Sequence, residues 1–94
     1  MINIDYIEKT DGQHIHIINT LDSKNKSNIK IDLSNLEDWN KNTINKFLVT
    51  VISTAGDKIE VSLTEAAQAK RNEIKAINFI YEIFEAFANS YNEN

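Results

Sequence analysis

The first twenty residues alternate between apolar and polar side chains with the two-residue period of a β-strand. Two stretches follow this pattern, one on each side of Asp11-Gly12. Asp-Gly is a strong hairpin signal because both residues tolerate positive φ. With these two residues as the loop, Tyr6 pairs with Ile17 across the hairpin. The face expected to be buried carries Ile4, Tyr6, Ile15 and Ile17.

The next segment predicts a loop, a third strand and a short helix. Residues 20–28 are polar and typical of a loop, and the alternation at residues 29–33 predicts a strand. Ser34 followed by Glu37 has the spacing of a helix capping box. We therefore expect a helix over residues 35–46.

A second hairpin is expected from residues 47–54 and 59–63. The first of these segments is rich in β-branched residues, the second alternates between apolar and polar positions, and Gly56-Asp57 lies between them. This hairpin brings the predicted sheet to about five strands.

Residues 65–91 predict one long helix, because they contain no glycine or proline and place apolar residues at alternating spacings of three and four. Ser62 or Thr64 supplies its N-cap. Such a helix is ~40 Å long, whereas a chain of this length has a radius of gyration of only ~12 Å. The helix is therefore expected to overhang its own domain.

The overhang carries Phe84, Phe87 and Tyr91, which are large aromatic side chains that need to be buried. Three outcomes follow from this excess of apolar surface. The helix breaks near Asn72 or Asn78, it packs against a second copy of the chain, or it presents its face to another protein. We expect a homodimer formed through this helix.

Together these elements predict a single α+β domain over residues 1–94 in the order β-β-β-α-β-β-α. An antiparallel sheet of about five strands carries the short helix and the long C-terminal helix on one face.

Composition removes several classes of function. The 94 residues include no cysteine, which excludes disulfides, thiolate metal sites and a cysteine nucleophile. No cofactor is expected. The chain shows no signal peptide, and its longest apolar run, residues 47–49, is far shorter than a membrane span. These features predict a cytoplasmic protein without a membrane partner.

The charge balance argues against direct binding of nucleic acid. Asp and Glu number 14 against 10 Lys and Arg, which gives a net charge of −4. Arg71 is the only arginine, and residues 76–94 contain no basic residue. Binding to a phosphate backbone takes a cluster of basic side chains. We therefore expect the partner to be another protein with a basic surface, such as a nuclease or another component that binds nucleic acid.

Candidate catalytic chemistry is sparse. His14 and His16 lie two residues apart and project from the same face of their strand, with Asp5 and Glu8 near in sequence. A catalytic metal usually needs three protein ligands, and Glu8 falls on the opposite face in the predicted register. We therefore interpret the two histidines as solvent-facing and expect no metal. No nucleophile elbow or phosphate-binding glycine loop is present, so the chain is not expected to be an enzyme.

Aromatic and acidic residues are the candidates for an interface. Trp39 is either an anchor for a partner or a cap on the core between the short helix and the sheet. Phe79 points away from both apolar stripes of the long helix. The predicted partner or dimer contacts are Phe79, Glu82, Phe84, Glu85, Phe87, Tyr91 and Trp39.

The remaining signal concerns the source of the chain. Ile, Asn and Lys number 15, 13 and 9, a bias typical of AT-rich bacterial or phage genomes. In size, acidity and lack of catalytic motifs, the chain is similar to the small inhibitors, anti-CRISPR proteins among them, that phages and mobile elements direct against bacterial defence nucleases. That likeness implies steric blocking of a nuclease complex. The alternatives are an immunity or antitoxin protein that neutralises a toxin, and a homo-oligomeric assembly protein without a foreign target.

Overall fold

The structure is a computed structural model that describes residues 1–20, 26–56 and 58–93. Within these residues the chain forms a mixed sheet of four strands and three α-helices, which confirms the α+β class. The strands are β1 (Ile2–Lys9), β2 (Gly12–Thr20), β3 (Lys26–Asp32) and β4 (Val61–Leu63). The helices are α1 (Lys41–Thr54), α2 (Glu65–Lys70) and α3 (Lys75–Asn92), and a short 3-10 turn at Leu36–Asp38 precedes α1.

The strands lie in the order β3-β2-β1-β4. The first three pair antiparallel, whereas β4 runs parallel to β1. The Ile2 N–H donates to the Glu60 carbonyl at 2.8 Å, and the Thr64 N–H donates to the Ile4 carbonyl at 3.0 Å. Parallel strands need a crossover connection, which α1 supplies between β3 and β4. For the described residues, the expectation of about five strands in an antiparallel sheet is therefore wrong.

The hairpin of β1 and β2 is confirmed, but its loop is displaced. The turn lies at Thr10 and Asp11, and Gly12 opens β2 with a φ of 139°, which suits glycine. Tyr6 pairs with Ile15, so the predicted register is wrong by two residues. Because side chains alternate with a period of two, this displacement leaves every side chain on its predicted face. The predicted buried face is therefore confirmed.

Helix α1 replaces two predicted elements. The helix expected at residues 35–46 is confirmed only over residues 41–46, and the strand expected at residues 47–54 is wrong, because one helix runs over Lys41–Thr54. It begins where the Asn40 side chain accepts the Thr43 N–H at 3.0 Å.

The apolar spacing of α1 explains why it is helical despite its β-branched residues. Its side chains in or against the core recur at three- and four-residue intervals: Ile44, Phe47, Leu48 and Val51. Three hydroxyls donate to the carbonyl four residues earlier, those of Thr50, Ser53 and Thr54. Burial of this stripe therefore overrides the local preference for a strand.

The remaining predicted loops lie partly outside the described residues. In the loop expected at residues 20–28, residues 21–25 lie outside them, and the rest belong to β2 and β3. In the turn expected at Gly56-Asp57, Gly56 is exposed and Asp57 lies outside them. The second hairpin is wrong, since β4 pairs with β1.

The predicted C-terminal helix is divided in two by a turn at residues 71–73. Thr64 is confirmed as an N-cap, because its Oγ1 accepts the Ala67 N–H at 3.2 Å and donates to the Asp5 carboxylate at 2.6 Å. A continuous helix over residues 65–91 is therefore wrong. The 18 residues of α3 span ~27 Å, which fits a body measuring 39 × 27 × 23 Å.

Phe84 of α3 lies at the centre of the packing between the helices. Its side chain is fully buried, and its ring lies 5.7 Å from that of Phe47 and 6.1 Å from that of Trp39, both edge to face. One face of the sheet contributes the other side of this core, through Ile2, Ile4, Tyr6, Ile15, Ile17, Ile29 and Ile31. The helix that was expected to overhang thus covers its own sheet.

The turn after β3 gives a test of local electrostatics. The Asp32 carboxylate accepts hydrogen bonds from the Ser34 N–H at 2.9 Å and the Ser34 hydroxyl at 2.8 Å. These bonds lower the pKa of Asp32. A depressed pKa contributes stability above the unfolded pKa that is lost as the pH falls through the folded pKa. We expect Ser34→Ala to raise the Asp32 pKa in an NMR titration. Ser53→Ala is the control, and an equal rise there would contradict this account.

Candidate functional site

The outward side of α3 carries a ridge of exposed residues: Phe79, Glu82, Ile83 and Ala86, called here the α3 ridge. Their spacing of three and four residues places them along one side of the helix. Phe79 is 56% exposed, which confirms that it points away from the core. The opposite side of α3 is occupied by buried Ile77, Ile80, Phe84 and Ala88. The core is therefore complete without the ridge.

The N-terminal end of the ridge is held by a chain of polar contacts. The Arg71 guanidinium lies 4.7 Å from the centre of the Tyr81 ring, and Arg71 Nε donates to Asn78 Oδ1 at 2.7 Å. Asn78 Nδ2 in turn donates to Glu82 Oε1 at 3.2 Å. These contacts fix the Glu82 carboxylate beside Phe79. A shallow groove of about 460 Å³ lies here, lined by Arg71, Asn72, Lys75, Asn78, Phe79 and Glu82.

A second acidic residue is oriented on the side of α3 that faces β4. The hydrogen bond to the Glu85 carboxylate, together with partial burial, raises the pKa of the Tyr81 hydroxyl. A phenol that donates to a carboxylate holds that carboxylate in place. Glu85 thus lies on a different side of the helix from Phe79, while Glu82 belongs to the same ridge.

Charge is unevenly distributed along α3. Lys75 is its first residue and its only basic one, whereas Glu82 and Glu85 lie in its middle and Glu93 follows its end. The exposed ring of Phe79 therefore lies between a basic and an acidic side chain, with Lys75 one turn before it and Glu82 one turn after it, and the acidic side chains belong to the C-terminal part of the helix. A complementary surface would combine basic side chains with an apolar pocket.

Two further exposed apolar side chains lie on α1. Val49 is 63% exposed and Ile52 is 47% exposed. They are three residues apart and share one side of the helix. The sequence pattern predicts a strand at residues 47–54, and a strand there does not place these two side chains on one exposed side. The helical spacing of Ile44, Phe47 and Val51 on the same segment would indicate them, because it leaves Val49 and Ile52 on the opposite side of a helix.

The other predicted contacts lie in or against the core. Phe84 has no exposed surface and so has none to offer a partner in this conformation. Trp39 is partly buried and its ring packs on that of Phe84. Phe87 is also partly buried and packs against the core. Tyr91 is also partly buried, and its hydroxyl donates to the Gly56 carbonyl at 2.9 Å. Of the seven predicted contacts, the structure brings only Phe79 and Glu82 together on the ridge, with Glu85 exposed nearby.

The two histidines lie on the open face of the sheet. His16 pairs with Asp5 on one side and Lys30 on the other and is partly buried. His14 lies between Ile7 and Asp32 of the neighbouring strands and is only 8% exposed, so the interpretation of both histidines as solvent-facing is wrong for His14. No group of three metal-binding side chains occurs among the described residues.

No helix in the described part of the chain has both the length and the apolar character needed to cross a membrane. No family model, no curated protein and no solved structure matches the chain significantly.

Proposed function

We propose that the chain is a non-enzymatic inhibitor that binds another protein and covers its working surface. In this proposal it comes from a phage or mobile element and blocks a bacterial defence nuclease complex sterically, in the manner of anti-CRISPR proteins. The α3 ridge is the contact surface. The observation that carries the proposal is Phe79, a large aromatic side chain left more than half exposed on a helix whose core stripe is already complete.

Exposed aromatic side chains are unusually effective in binding. Aromatic residues dominate the energy of protein interfaces when they fill a pocket on the partner. Phe79 also has Ile83 one turn away, 37% exposed, so the two side chains present a continuous apolar strip. The strip is short, which suits a partner with a single pocket or cleft.

The acidic balance of the chain favours a basic partner. Glu82 lies on the ridge, Glu85 lies beside it, and the whole chain carries a net charge of −4. Surfaces that bind nucleic acid are rich in Lys and Arg. Complementary charge speeds association and excludes wrong partners, so binding is expected to weaken as salt rises.

The test is restoration of phage growth in bacteria that carry a defined nuclease defence. Cells of a panel of such strains express the chain or the variant Phe79→Asp, and the plating efficiency of a targeted phage is measured. We expect the natural chain to raise plating in at least one strain. Burying the new carboxylate is unfavourable, so Phe79→Asp should reduce affinity by at least about 30-fold, as expected for loss of a 2 kcal/mol hot spot.

The matched control is Ala66→Asp, which adds the same charge at an exposed position of α2. It should protect as well as the natural chain. Equal loss in both variants would show a general effect of charge, and no protection in any strain would contradict the nuclease target. Rescue of cells from a co-expressed toxin would instead support the immunity or antitoxin alternative.

A further inference from the structure

Strand β3 forms an open edge of the sheet. The Leu33 N–H donates to the Gln13 carbonyl at 2.9 Å. In an antiparallel pair every second residue directs its N–H and C=O groups toward the partner strand, so residues 27, 29 and 31 direct theirs toward β2. The intervening residues, Asn28 and Lys30, direct their N–H and C=O groups outward. Within the described residues no strand pairs with them.

Among the described residues, lysine is the main feature of this edge that hinders pairing between molecules. Proteins protect edges with charged side chains, lysine above all, and with proline, bulges, very short strands or a helix that covers them. β3 has seven residues, contains no proline and keeps an uninterrupted register with β2. Lys30 is the only charged residue in its middle. The opposite edge, β4, has only three residues and is far less able to pair.

A groove runs beside the open edge, between β3 and α1. Its volume is about 250 Å³, and it is lined by Ser27, Asn28, Ile29, Thr43, Lys46, Phe47 and Thr50. Buried Ile29 and Phe47 form its apolar floor. The Ser27 hydroxyl is buried, and among the described residues it has no hydrogen-bond partner. A strand added to β3 would place side chains over this groove and bring polar groups near that hydroxyl.

We propose that the occupant is a second copy of the chain, with the two β3 strands paired antiparallel around a twofold axis at Ile29. This axis aligns all seven residues of each strand, whereas an axis one residue to either side aligns only five. The outward Asp32 carbonyl already accepts the Asn35 N–H at 3.0 Å, so Asn28 and Lys30 are the residues that exchange hydrogen bonds across the axis. This axis sets Lys30 opposite Asn28 of the other copy. An axis at Lys30 would set two ammonium groups opposite each other, which is unfavourable.

The predicted dimer has two pairs of outward-facing residues, each exchanging two hydrogen bonds, so about four backbone bonds cross the axis. Seven residues extend ~24 Å. Together with the adjoining helix layer, the strip covers on the order of 500 Å² per copy, at the low end for a specific interface. We therefore expect association that depends on concentration.

The two sheets would join into one, with both helical layers on the same side. If the proposed function is correct, the dimer presents two α3 ridges together and gains avidity for a partner with two sites. The dimer itself does not depend on that function.

The experiment measures mass by light scattering and sedimentation from about 1 µM to about 1 mM, the range in which a small interface dissociates. We expect the mass to rise from 10.8 kDa toward twice that value. Lys30→Pro removes an outward N–H that bonds nothing within one copy, and edge strands tolerate proline. It should weaken the dimer at least about tenfold. Lys30→Ala, which keeps the N–H, should still dimerise.

A second measurement works on the natural chain, so the conclusion survives if the proline variant does not fold. Amide exchange by NMR should show Asn28 and Lys30 protected at high concentration and unprotected on dilution. A mass of 10.8 kDa at every concentration would overturn the proposal, as would a Lys30→Pro dimer of undiminished strength. A dimer abolished by Phe79→Asp but not by Lys30→Pro would place the interface on α3 and also overturn it. None of these results alters the phage-plating test.

Discussion

Phe84→Ala should lower the free energy of unfolding by about 3–5 kcal/mol, the range for deleting a buried phenylalanine from a core. The reason is that the Phe84 ring is fully buried and contacts the rings of Phe47 and Trp39 edge to face. A domain of this size has roughly 5–15 kcal/mol of stability, so the variant is expected to be close to unfolding. Urea denaturation followed by circular dichroism measures the change.

Phe79→Ala is the matched control, because it makes the same change on the same helix. Phe79 is mostly exposed, so its loss should cost no more than about 0.5 kcal/mol. Similar costs at the two positions would contradict the orientation of α3, and with it the surface assigned to binding.

Ile17→Ala should cost about 2–5 kcal/mol, because this side chain is fully buried on the covered face of the central strand β2. The neighbouring Ile18 lies on the open face and is only partly buried. Ile18→Ala should therefore cost about 1 kcal/mol or less. Thermal and urea unfolding of the two variants measure the difference directly.

This comparison tests whether the helices cover one face of the sheet. If both isoleucines proved equally costly, a second layer would have to cover the open face. A large effect at Ile18 alone would mean that the two faces of β2 are exchanged, with Ile18 and not Ile17 in the core.

The hairpin faces could be predicted from the sequence even though the turn was placed incorrectly. Side-chain alternation fixes which residues share a face, and it is insensitive to a displacement of two residues. The identity of the turn depends on finer backbone energetics. Here the positive φ falls on Gly12 alone, while Thr10 and Asp11 keep negative φ.

Residues 47–54 show where local preference misleads. Thr50, Val51 and Ile52 favour a strand in isolation. The helix is selected by tertiary burial, which the sequence indicates only when Ile44 and Phe47 are counted with the later residues as one stripe. When the stripe is divided between two predicted elements, neither part is long enough to show the helical spacing.

The candidate site could be predicted only in part, because the sequence pattern indicates the exposure of Phe79 but not the burial of Phe84. The exposure of Phe79 follows from its position off the apolar stripes, and this was correct. The burial of Phe84 depends on the turn at residues 71–73, which redirects α3 onto the core. No glycine or proline marks that turn, and the weak helix former Asn72 was its only local sign.

The parallel pairing of β4 with β1 has a consequence for how the chain is made. Residues that join these strands, such as Asp5 and Thr64, are 59 positions apart. During translation β1 and β2 emerge first, and β1 keeps a free edge until residues 61–63 leave the ribosome. Contacts between residues so far apart in the sequence form slowly. We therefore expect the nascent chain to expose an unpaired strand edge, which is a site for aggregation, during that interval.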